Sequence, residues 1–399
     1  MKILHTSDWH LGQEFHTYDR MPEHEAFLNS LEDMIRQEQP DALLVCGDIY
    51  HTSTPSNTVM RLFTDGMDRI RQACPSMRVI VSAGNHDSSS RLEVSRSLWG
   101  HLGVTVIGRV ERDGEEIDFS RHLIELPERK GYVVALPHMF PQNYPAVSPD
   151  IPREDRQKSF MSALGDYVRL NCDPSLPLVM MAHLAIAGSD ISGHDPSRGG
   201  MDYIGENEID VPYDYLALGH IHFPQMIGTR ARYCGSPIPI SFDEDYPHSV
   251  TVAEVAKGEI PLIRTIPVRN IRPLRTIPKS PVSFEDALKA LEGFPSDEPA
   301  YLRIWVRLED VPPANAMLRA SMALQGKQAK FCTIKWERNR AEESRNVRVL
   351  DVEQFRAFSP LQLAEMYYSE KYGGPLDEDL KRLMMEAIGD GSADMEEEI

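Results

Sequence analysis

The sequence predicts an α/β fold in which two facing β-sheets are flanked by helices. Three observations predict it: short apolar runs alternate with helical patterns near the amino terminus, further short apolar runs follow, and polar residues come directly after five of these runs. Buried parallel strands read as short apolar runs, and strand-helix-strand alternation is typical of parallel strands with right-handed crossovers. Open α/β sheets bind ligands at the carboxyl ends of their strands. The polar residues after these runs are therefore candidate site residues.

The alternation is clearest in the first hundred residues. Apolar residues at helical spacing predict helices over 23–37 and 58–73, and a proline follows each of them. Apolar runs before, between and after these helices predict three strands, the last over 78–81. We expect these strands to be parallel neighbours.

The middle of the chain changes character. Residues 104–136 predict three short strands separated by polar turns, and we expect them to be antiparallel. A helix is expected over 155–170, ahead of the apolar run 178–182. Further short β patterns, including one at 239–241, continue to about residue 268. These patterns predict the second sheet of the sandwich.

Prolines between residues 273 and 281 mark a boundary, so we expect a first domain over 1–272. Beyond it, residues 273–349 predict a small α+β module, in which Ser283 is a candidate helix N-cap. The elements predicted in this module are a helix to residue 291, a strand over 301–308, a helix over 314–324 and a strand over 330–336. Residues 350–399 predict two amphipathic helices, over 360–368 and 376–388, followed by an acidic end. This pair has no evident core of its own.

The composition fits a globular protein, with 41 % hydrophobic and 26 % charged residues. No apolar run approaches the ~20 residues of a transmembrane helix, and the chain begins with a strand pattern rather than a signal peptide, so we expect a cytoplasmic location. Five cysteines without a CxxC pair predict neither a disulfide framework nor a thiolate zinc site. The net charge of −19 argues against nucleic-acid binding, but bound divalent cations would offset it locally.

The polar residues that follow the five apolar runs are histidines, aspartates and one asparagine. Each motif is weak by itself, because an Asp-x-His turn or a buried histidine occurs in many proteins. Their joint occurrence at the ends of five runs predicts a single metal site. The clusters are Asp8 with His10, Asp48, Asn85 to Asp87, His183, and His220 with His222.

The residue types suit a pair of divalent cations. Two ions about 3.5–4 Å apart need an anionic bridge, and Asp48, which follows Gly47 at the end of a buried strand, is the candidate. Imidazole, carboxylate and amide donors without thiolate suit Mn²⁺ or Fe²⁺ more than structural Zn²⁺. Such ions lower the pKa of bound water, which could then attack a phosphodiester. His86, next to Asn85, is placed to donate to the phosphoryl oxygens or the leaving alkoxide.

These motifs resemble those of the calcineurin-like metallophosphoesterases. Residues 5–12 and 233–243 narrow the resemblance to the SbcD family of double-strand-break repair nucleases, the nuclease subunits of SbcCD complexes. The resemblance covers at least residues 1–243. It implies a calcineurin-like two-sheet sandwich flanked by helices, with a small α+β capping domain over 273–349 and a C-terminal helix pair.

The resemblance also implies how the ligands are shared between two Mn²⁺ ions, with Fe²⁺ or Mg²⁺ as alternatives. One ion would be held by Asp8, His10, Asp48 and His222. The other would be held by Asp48, Asn85, His183 and His220. His86 would be the catalytic histidine. His51 resembles a second active-site histidine that orients the DNA phosphate, although some bacterial members carry Asp there.

The activity implied by the resemblance is ATP-dependent cleavage of DNA in repair and recombination, as a 3′–5′ exonuclease on double strands and an endonuclease on single strands and hairpins. The sequence has no Walker motif. ATP would therefore act through a partner, an SbcC-like SMC-type ATPase that binds residues 350–399. Two copies of the chain would form a homodimer within a heterotetramer that also contains the ATPase. The contact between the two copies would be made by residues 58–73 or 91–99. Candidate DNA contacts are Arg91, Lys335, Arg338 and Arg340.

Other members of the superfamily fit less well. A protein phosphatase would carry an Asp-Arg-Gly sequence after its bridging aspartate, and a purple acid phosphatase would carry a tyrosine where His51 stands. A small-molecule or cyclic-nucleotide phosphodiesterase stays open from the metal site alone, but it would not explain the last third of the chain. A non-catalytic scaffold would have lost ligands, and every expected ligand is present.

Overall fold

The computed structural model describes residues 1–338 and isolated positions between 361 and 382; within 1–338 it leaves out residues 115, 141–143, 149, 153–154, 193–202 and 309–310. The chain divides into two compact units. The first comprises Met1–Trp305 and Asn315–Lys335, and the second comprises Val306–Ala314 and Trp336–Ile399. Apart from those isolated positions, the helix pair predicted over 360–388 lies outside the described residues. In the described part, no helix is long and apolar enough to cross a membrane.

The described helices are α1 (Met21–Glu38), α2 (Asn57–Ala73), α3 (Ser89–Glu93), α4 (Arg96–His101), α5 (Arg156–Asn171), α6 (Phe284–Glu292) and α7 (Ala316–Ala323). The described strands are β1 (Lys2–Thr6), β2 (Glu14–Phe15), β3 (Tyr18–Asp19), β4 (Ala42–Cys46), β5 (Arg78–Ser82), β6 (Val104–Ile107), β7 (Arg112–Asp113), β8 (Glu116–Ile117), β9 (Leu123–Glu125), β10 (Tyr132–Ala135), β11 (Leu178–His183), β12 (Ala185–Ile186), β13 (Tyr203–Ile204), β14 (Tyr215–Gly219), β15 (Gln225–Ile227), β16 (Ala231–Tyr233), β17 (Ser249–Glu254), β18 (Leu262–Pro267), β19 (Leu274–Val282), β20 (Tyr301–Leu308) and β21 (Lys330–Arg338).

Most of these elements lie where the sequence patterns predict them, and their ends have local causes. The Ser56 side chain accepts a hydrogen bond from the Val59 amide (3.3 Å) and caps α2. Ser283 caps α6 as predicted, because its hydroxyl accepts from the Asp286 amide (3.2 Å). Each cap satisfies an amide that has no partner within the helix.

Two six-stranded mixed sheets form the centre of the first unit. The first has the order β18-β17-β1-β4-β5-β6, and the second has the order β15-β16-β14-β11-β10-β9. Four neighbouring strands in each sheet are parallel, namely β1, β4, β5 and β6 in the first and β16, β14, β11 and β10 in the second. The parallel pairing places the carboxyl ends of the strands at one edge of each sheet, as the fold-class prediction requires.

Two local predictions were wrong. The strands within 104–136 are not all antiparallel: β6 pairs in parallel with β5 and β10 pairs in parallel with β11, while β9 and β10 are antiparallel. Residues 239–241 do not form a strand, and 240 and 241 are bends, because prolines at 237 and 239 remove backbone donors. The predicted boundary at 272/273 is a separate matter, because β19 begins after it. Two of the prolines that marked this boundary, at 278 and 281, lie inside β19, which tolerates them as the outer strand of its sheet.

Alternate residues of the buried strands face different layers of the core. Ile3 and Leu44 of the first sheet pack with Val179 and Tyr215 of the second, and they form the layer between the sheets. The strand residues directly before and after these in the sequence face away from the opposite sheet, toward the helices. On the first sheet they pack against Phe27, Leu31, Phe63 and Met67 of α1 and α2, and on the second against Phe160, Leu164 and Val168 of α5. Strands buried on both faces are consistent with the continuous apolar runs in the sequence.

The strands β19, β20 and β21 form a separate three-stranded sheet, which α6 contacts through β19. Within the first unit this sheet packs on the β2–β3 hairpin and on a loop near residue 242. The aromatic rings of Phe15, Phe242 and Tyr301 form the contact, together with Cys332. The Tyr18 hydroxyl adds a hydrogen bond to the Phe331 carbonyl oxygen (2.9 Å).

Candidate metal centre

The backbone leaves β1 and β4 in two adjacent turns. The Asp8 amide donates to the Gly47 carbonyl, and the His10 amide donates to the Asp48 carbonyl, both at 3.0 Å. Asp8, His10, Asp48 and His220 have φ values of 53°, 44°, 52° and 96°. Residues other than glycine rarely adopt this left-handed region, and such strain is concentrated at functional sites.

All seven candidate ligands converge where strands of the two sheets end. Ligand atoms of Asp8, His10 and His222 lie within 4.8 Å of one another, and so do those of Asp8, Asp48 and His183. Asn85 joins the second group, because its amide oxygen is 2.9 Å from His183 Nε2 and 3.0 Å from His220 Nδ1. The structure therefore brings together residues that are more than 200 positions apart in the sequence.

Asp48 stands between the two groups of ligands. Its Oδ2 atom is 3.6 Å from His10 Nε2 and 3.6 Å from His183 Nε2. Its Oδ1 atom accepts a hydrogen bond from the His86 amide (2.9 Å), which fixes the carboxylate plane. One carboxylate oxygen is thus equally distant from a histidine of each group, as a bridge between two cations requires.

Hydrogen bonds orient two of the histidines toward the centre. His183 donates from Nδ1 to the Cys46 carbonyl oxygen (2.8 Å), and His222 donates from Nδ1 to Glu244 Oε1 (3.0 Å). Each bond places the proton on Nδ1 and leaves the Nε2 lone pair for a ligand. The tautomers are therefore those that metal-binding histidines need.

The electrostatics of the pocket fit a bound cation. Burial lowers the pKa values of His10 and His183 well below their usual range, so both imidazoles are neutral. Burial also raises the pKa of Asp48 well above its usual range and that of Asp8 to about 6. His10 Nε2 and His222 Nε2 lie only 3.3 Å apart. Buried carboxylates beside converging imidazole lone pairs are stabilised by cations, so this donor set fits divalent ions.

His86 and His51 form one wall of the pocket on the His10 side. Their rings are stacked, with centroids 5.7 Å apart and planes at 26°. His86 donates from Nδ1 to the His51 carbonyl oxygen (2.9 Å), and its ring centroid is 4.8 Å from that of His10. Both side chains are half-buried. The sequence prediction placed both histidines at this site, and the structure brings them there.

Two residues at the site were missed from the sequence. His138 follows β10, donates from Nδ1 to the His183 carbonyl oxygen (3.1 Å), and has its ring centroid 5.8 Å from that of His220. It comes directly after an apolar run, as the other clusters do, so the same signal could have found it. Glu244 had no such signal, because it lies in a loop outside any strand.

Asp87 belongs to the same motif as Asn85 but supports the backbone. Its carboxylate accepts from the amides of Ile49 (3.1 Å), Tyr50 (2.9 Å) and Gly84 (2.9 Å). These bonds tie the turn after β5 to the turn after β4. Asp87 therefore fixes the two turns that carry Asp48 and Asn85.

The candidate DNA contacts lie in different places. Arg91 is exposed on α3. Lys335 is exposed on β21, where its ammonium group lies 4.3 Å from the centre of the Trp305 ring. Arg338 is exposed at the end of β21, and Arg340 lies outside the described residues. Their contact with DNA stays a prediction.

Family models match the chain in two parts. Residues 1–224 match the model described as calcineurin-like phosphoesterase. Residues 270–372 match the SbcD C-terminal model, described as type 5 capsule protein repressor C-terminal domain. A curated relative, the D subunit of the nuclease SbcCD from Rhodobacter capsulatus, is 33 % identical over 77 % of this chain and 81 % of its own length. The chain belongs to the SbcD family of calcineurin-like phosphoesterases. It is a metal-dependent nuclease.

Two further curated relatives are also D subunits of the nuclease SbcCD. The SbcD protein of Escherichia coli is 30 % identical over 78 % of this chain and 79 % of its own length. The SbcD protein of Bacillus subtilis is 26 % identical over 97 % of both chains. The similarity to SbcD proteins therefore extends well beyond the metal motifs.

Gly84 of this SbcD-family chain has no room for a side chain, because a Cβ atom there would overlap the Asp48 carboxylate and amide. We expect Gly84→Ala to displace Asp48, to abolish binding of a pair of ions and to destabilise the fold by about 1–3 kcal/mol. Thermal unfolding and metal analysis check this. Gly100→Ala is the control, since no atom of the described residues lies within 4 Å of its Cβ position. Wild-type metal content in Gly84→Ala would contradict the prediction.

Proposed function

We propose that this SbcD-family chain hydrolyses the phosphodiester bonds of DNA at a two-metal centre. Mn²⁺ is the proposed ion, and Fe²⁺ or Mg²⁺ would suit the same donors. The position of Asp48 Oδ2, 3.6 Å from both His10 Nε2 and His183 Nε2, is the observation that carries this proposal. An Asp equidistant from two ligand groups suits two ions better than one.

Each ion has its own set of proposed ligands, with Asp48 in common. The first set is Asp8, His10, Asp48 and His222, and the second is Asp48, Asn85, His183 and His220. When bound, the ions lower the pKa of water and offset negative charge on the phosphoryl oxygens. The protein residues orient these ions and keep the surrounding pocket closed to bulk solvent on the side of the sheets.

His86 is the proposed catalytic acid. Its Nδ1 proton is engaged by the His51 carbonyl oxygen (2.9 Å), so Nε2 is the atom that can carry a second proton. Transfer of that proton to the leaving alkoxide would make it a better leaving group. His51, whose ring is stacked on that of His86, is proposed to orient the DNA phosphate.

We propose three domains with different roles: the nuclease domain over 1–272, the DNA-capping domain over 273–349, and a partner-binding segment over 350–399. The match of the C-terminal family model to 270–372 supports the first boundary. Arg91, Lys335, Arg338 and Arg340 are proposed to contact phosphates. The proposed partner is an SbcC-like SMC-type ATPase, since the relatives are named as D subunits of the nuclease SbcCD.

The experiment that tests this function compares substrates. Metal-free chain receives Mn²⁺, Mg²⁺ or a chelator, together with end-labelled blunt duplex DNA, a DNA hairpin or a cyclic nucleotide. We expect Mn²⁺ to support shortening of the duplex from its 3′ ends and opening of the hairpin, and the chelator to abolish both. Hydrolysis of the cyclic nucleotide without cleavage of DNA would favour a small-molecule phosphodiesterase instead.

Removal of residues 350–399 tests the partner site. We expect the truncated chain to lose co-purification with an SbcC-like ATPase and to lose stimulation of DNA cleavage by that ATPase and ATP. Hydrolysis of a model phosphodiester by the truncated chain should stay within about twofold of the full chain, because the metal ligands all precede residue 223. Retained binding of the ATPase would contradict the prediction.

Of the two proposed dimer contacts, 58–73 and 91–99, the second carries an exposed apolar surface, which includes Val94 after α3, Leu98 in α4 and Leu102 after α4. Val94, Leu98 and Leu102 are 80 %, 65 % and 46 % exposed, and they recur every four residues. We expect Leu98→Glu to convert a dimer into a monomer in sedimentation experiments, because a buried charge would be unpaired in the interface. Leu170→Glu is the matched control, since Leu170 is an isolated exposed leucine of α5 (84 %). A dimer that persists in Leu98→Glu would contradict this contact.

A further inference from the structure

Glu244 lies in the loop that precedes β17, and its carboxylate is buried beside the metal ligand His222. Its side chain is fully buried. Oε1 accepts from His222 Nδ1 (3.0 Å), while Oε2 accepts from the Ser236 hydroxyl (3.0 Å) and from the Ile240 amide (3.2 Å). Both oxygens are therefore engaged, and the carboxylate has a single orientation.

This orientation controls how His222 faces the metal centre. A hydrogen bond from Nδ1 to a carboxylate fixes the tautomer and the ring angle of a histidine, and it makes Nε2 a stronger donor to a metal. His222 Nε2 points to within 3.3 Å of His10 Nε2. Glu244 therefore acts on the first metal position without contacting it.

Arg303 of β20 holds the loop that carries Glu244. Its guanidinium group donates to Asp243 Oδ1 (3.0 Å) and to the Phe242 carbonyl oxygen (3.3 Å), and it lies 4.9 Å from the centre of the Phe242 ring. A third bond, from Nε to the Thr276 hydroxyl (3.0 Å), ties it to β19. The side chain is only 13 % exposed. The Arg303 side chain is therefore bonded to the loop on one side and to β19 on the other.

A cleft of about 600 Å³ lies beside this contact. Residues 242–245 line one side of it, and residues of β19, β20 and β21 line the other. This open space limits the packing between residues 242–245 and the three-stranded sheet. The bonds of Arg303 therefore act together with the ring packing of Phe242 to hold the loop against the sheet.

We propose that Glu244 and Arg303 are positioning residues that connect the three-stranded capping sheet to the metal ligand His222. The connection runs from Arg303 to the backbone and side chains of 242–243, from there to the adjacent Glu244, and from Glu244 to His222. It rests on the proposed two-metal centre. A shift of the capping sheet that breaks the Arg303 bonds weakens the ion held by His222 and leaves the other ion bound.

Mn²⁺ titration of the metal-free chain tests this connection without a nuclease assay. Calorimetry counts the binding steps, and electron paramagnetic resonance detects the coupled pair of Mn²⁺ ions. His222→Ala identifies the step that belongs to the first ion, and Asn85→Ala identifies the step of the second. We call the step lost in His222→Ala the His222 step and the step lost in Asn85→Ala the Asn85 step. Glu244→Gln should weaken the Mn²⁺ affinity of the His222 step roughly 10–100-fold. The Mn²⁺ affinity of the Asn85 step should stay within about twofold of wild type.

Arg303→Ala extends the test to the capping sheet. We expect it to weaken the same His222 step roughly threefold to 30-fold and to reduce the coupled signal. Arg303→Lys, which keeps the charge beside Asp243, should recover part of this loss. Arg275→Ala is the matched control: Arg275 lines the same cleft and pairs with Glu298, so its removal should leave both steps unchanged.

The possible failures are distinguishable. If the wild-type chain binds fewer than two Mn²⁺ ions, the proposed metal centre itself is wrong. If the wild type binds two ions and Glu244→Gln and Arg303→Ala bind them equally well, the positioning role is overturned. It is also overturned if either variant weakens both steps equally. If Glu244→Gln lowers the melting temperature, the positioning role is decided by the Mn²⁺ affinities of the Arg303 variants and of the Arg275→Ala control.

Discussion

Replacement of Asp48 by asparagine is expected to remove one of the two ions and to lower DNA cleavage roughly 10³-fold or more. Asparagine keeps the shape of the side chain and loses the negative charge. The Oδ2 position lies 3.6 Å from a histidine of each ligand group, so a neutral group there cannot offset two adjacent cations. Metal analysis of the purified variant should give one ion per chain or fewer.

Asp214→Asn is the matched control for this variant. Asp214 is as buried as Asp48, at 3 % and 2 % exposure, but it binds the Leu178 amide and Lys257 away from the metal centre. Its replacement should lower stability and leave two ions bound. Two ions with full nuclease activity in Asp48→Asn would show that Asp48 does not bridge them.

The convergence of the ligands could be predicted because it depends on local features. Each cluster comes directly after an apolar run, and parallel strands end at one edge of a sheet. The order of the strands in the sheets was not needed to predict the positions of Asp8 after β1, Asp48 after β4 and His183 at the end of β11. The same reasoning should have included His138, which closely follows β10.

The pairing of strands was harder to predict, because the partner of a strand is not encoded in its own residues. The strand β10 lies next in sequence to β9 and pairs with it antiparallel, yet its other neighbour is β11, more than 40 residues later. The prediction of antiparallel strands over 104–136 considered only sequence neighbours. The helix predicted over 155–170, which is α5 in the structure, supplies the crossover that a parallel pair of β10 and β11 needs.

Glu244 shows the limit of motif reasoning at the site. It comes 22 residues after His222 and contacts it through Nδ1. The loop between them contains three prolines and no regular strand after β16, so no periodicity indicates where its side chain points. Residues that orient a ligand depend on tertiary contacts, and sequence patterns predict them poorly.

Replacement of His86 by alanine is expected to separate metal binding from cleavage. The side chain donates from Nδ1 to the His51 carbonyl oxygen, and the Asp48 carboxylate accepts from the backbone amide of residue 86, which alanine keeps. The variant should therefore bind two ions. DNA cleavage should fall roughly 10²–10⁴-fold, the usual contribution of a general acid.

The leaving group decides whether His86 acts as that acid. An alkoxide of DNA is strongly basic and needs a proton, whereas the p-nitrophenolate of bis(p-nitrophenyl) phosphate leaves without one. His86→Ala should therefore lose no more than about tenfold on the p-nitrophenyl ester while losing most DNA cleavage. His51→Ala, if that residue orients the phosphate, should lower both reactions by similar factors. Equal losses on both substrates in His86→Ala would show that His86 contacts the phosphoryl oxygens and does not protonate the leaving group.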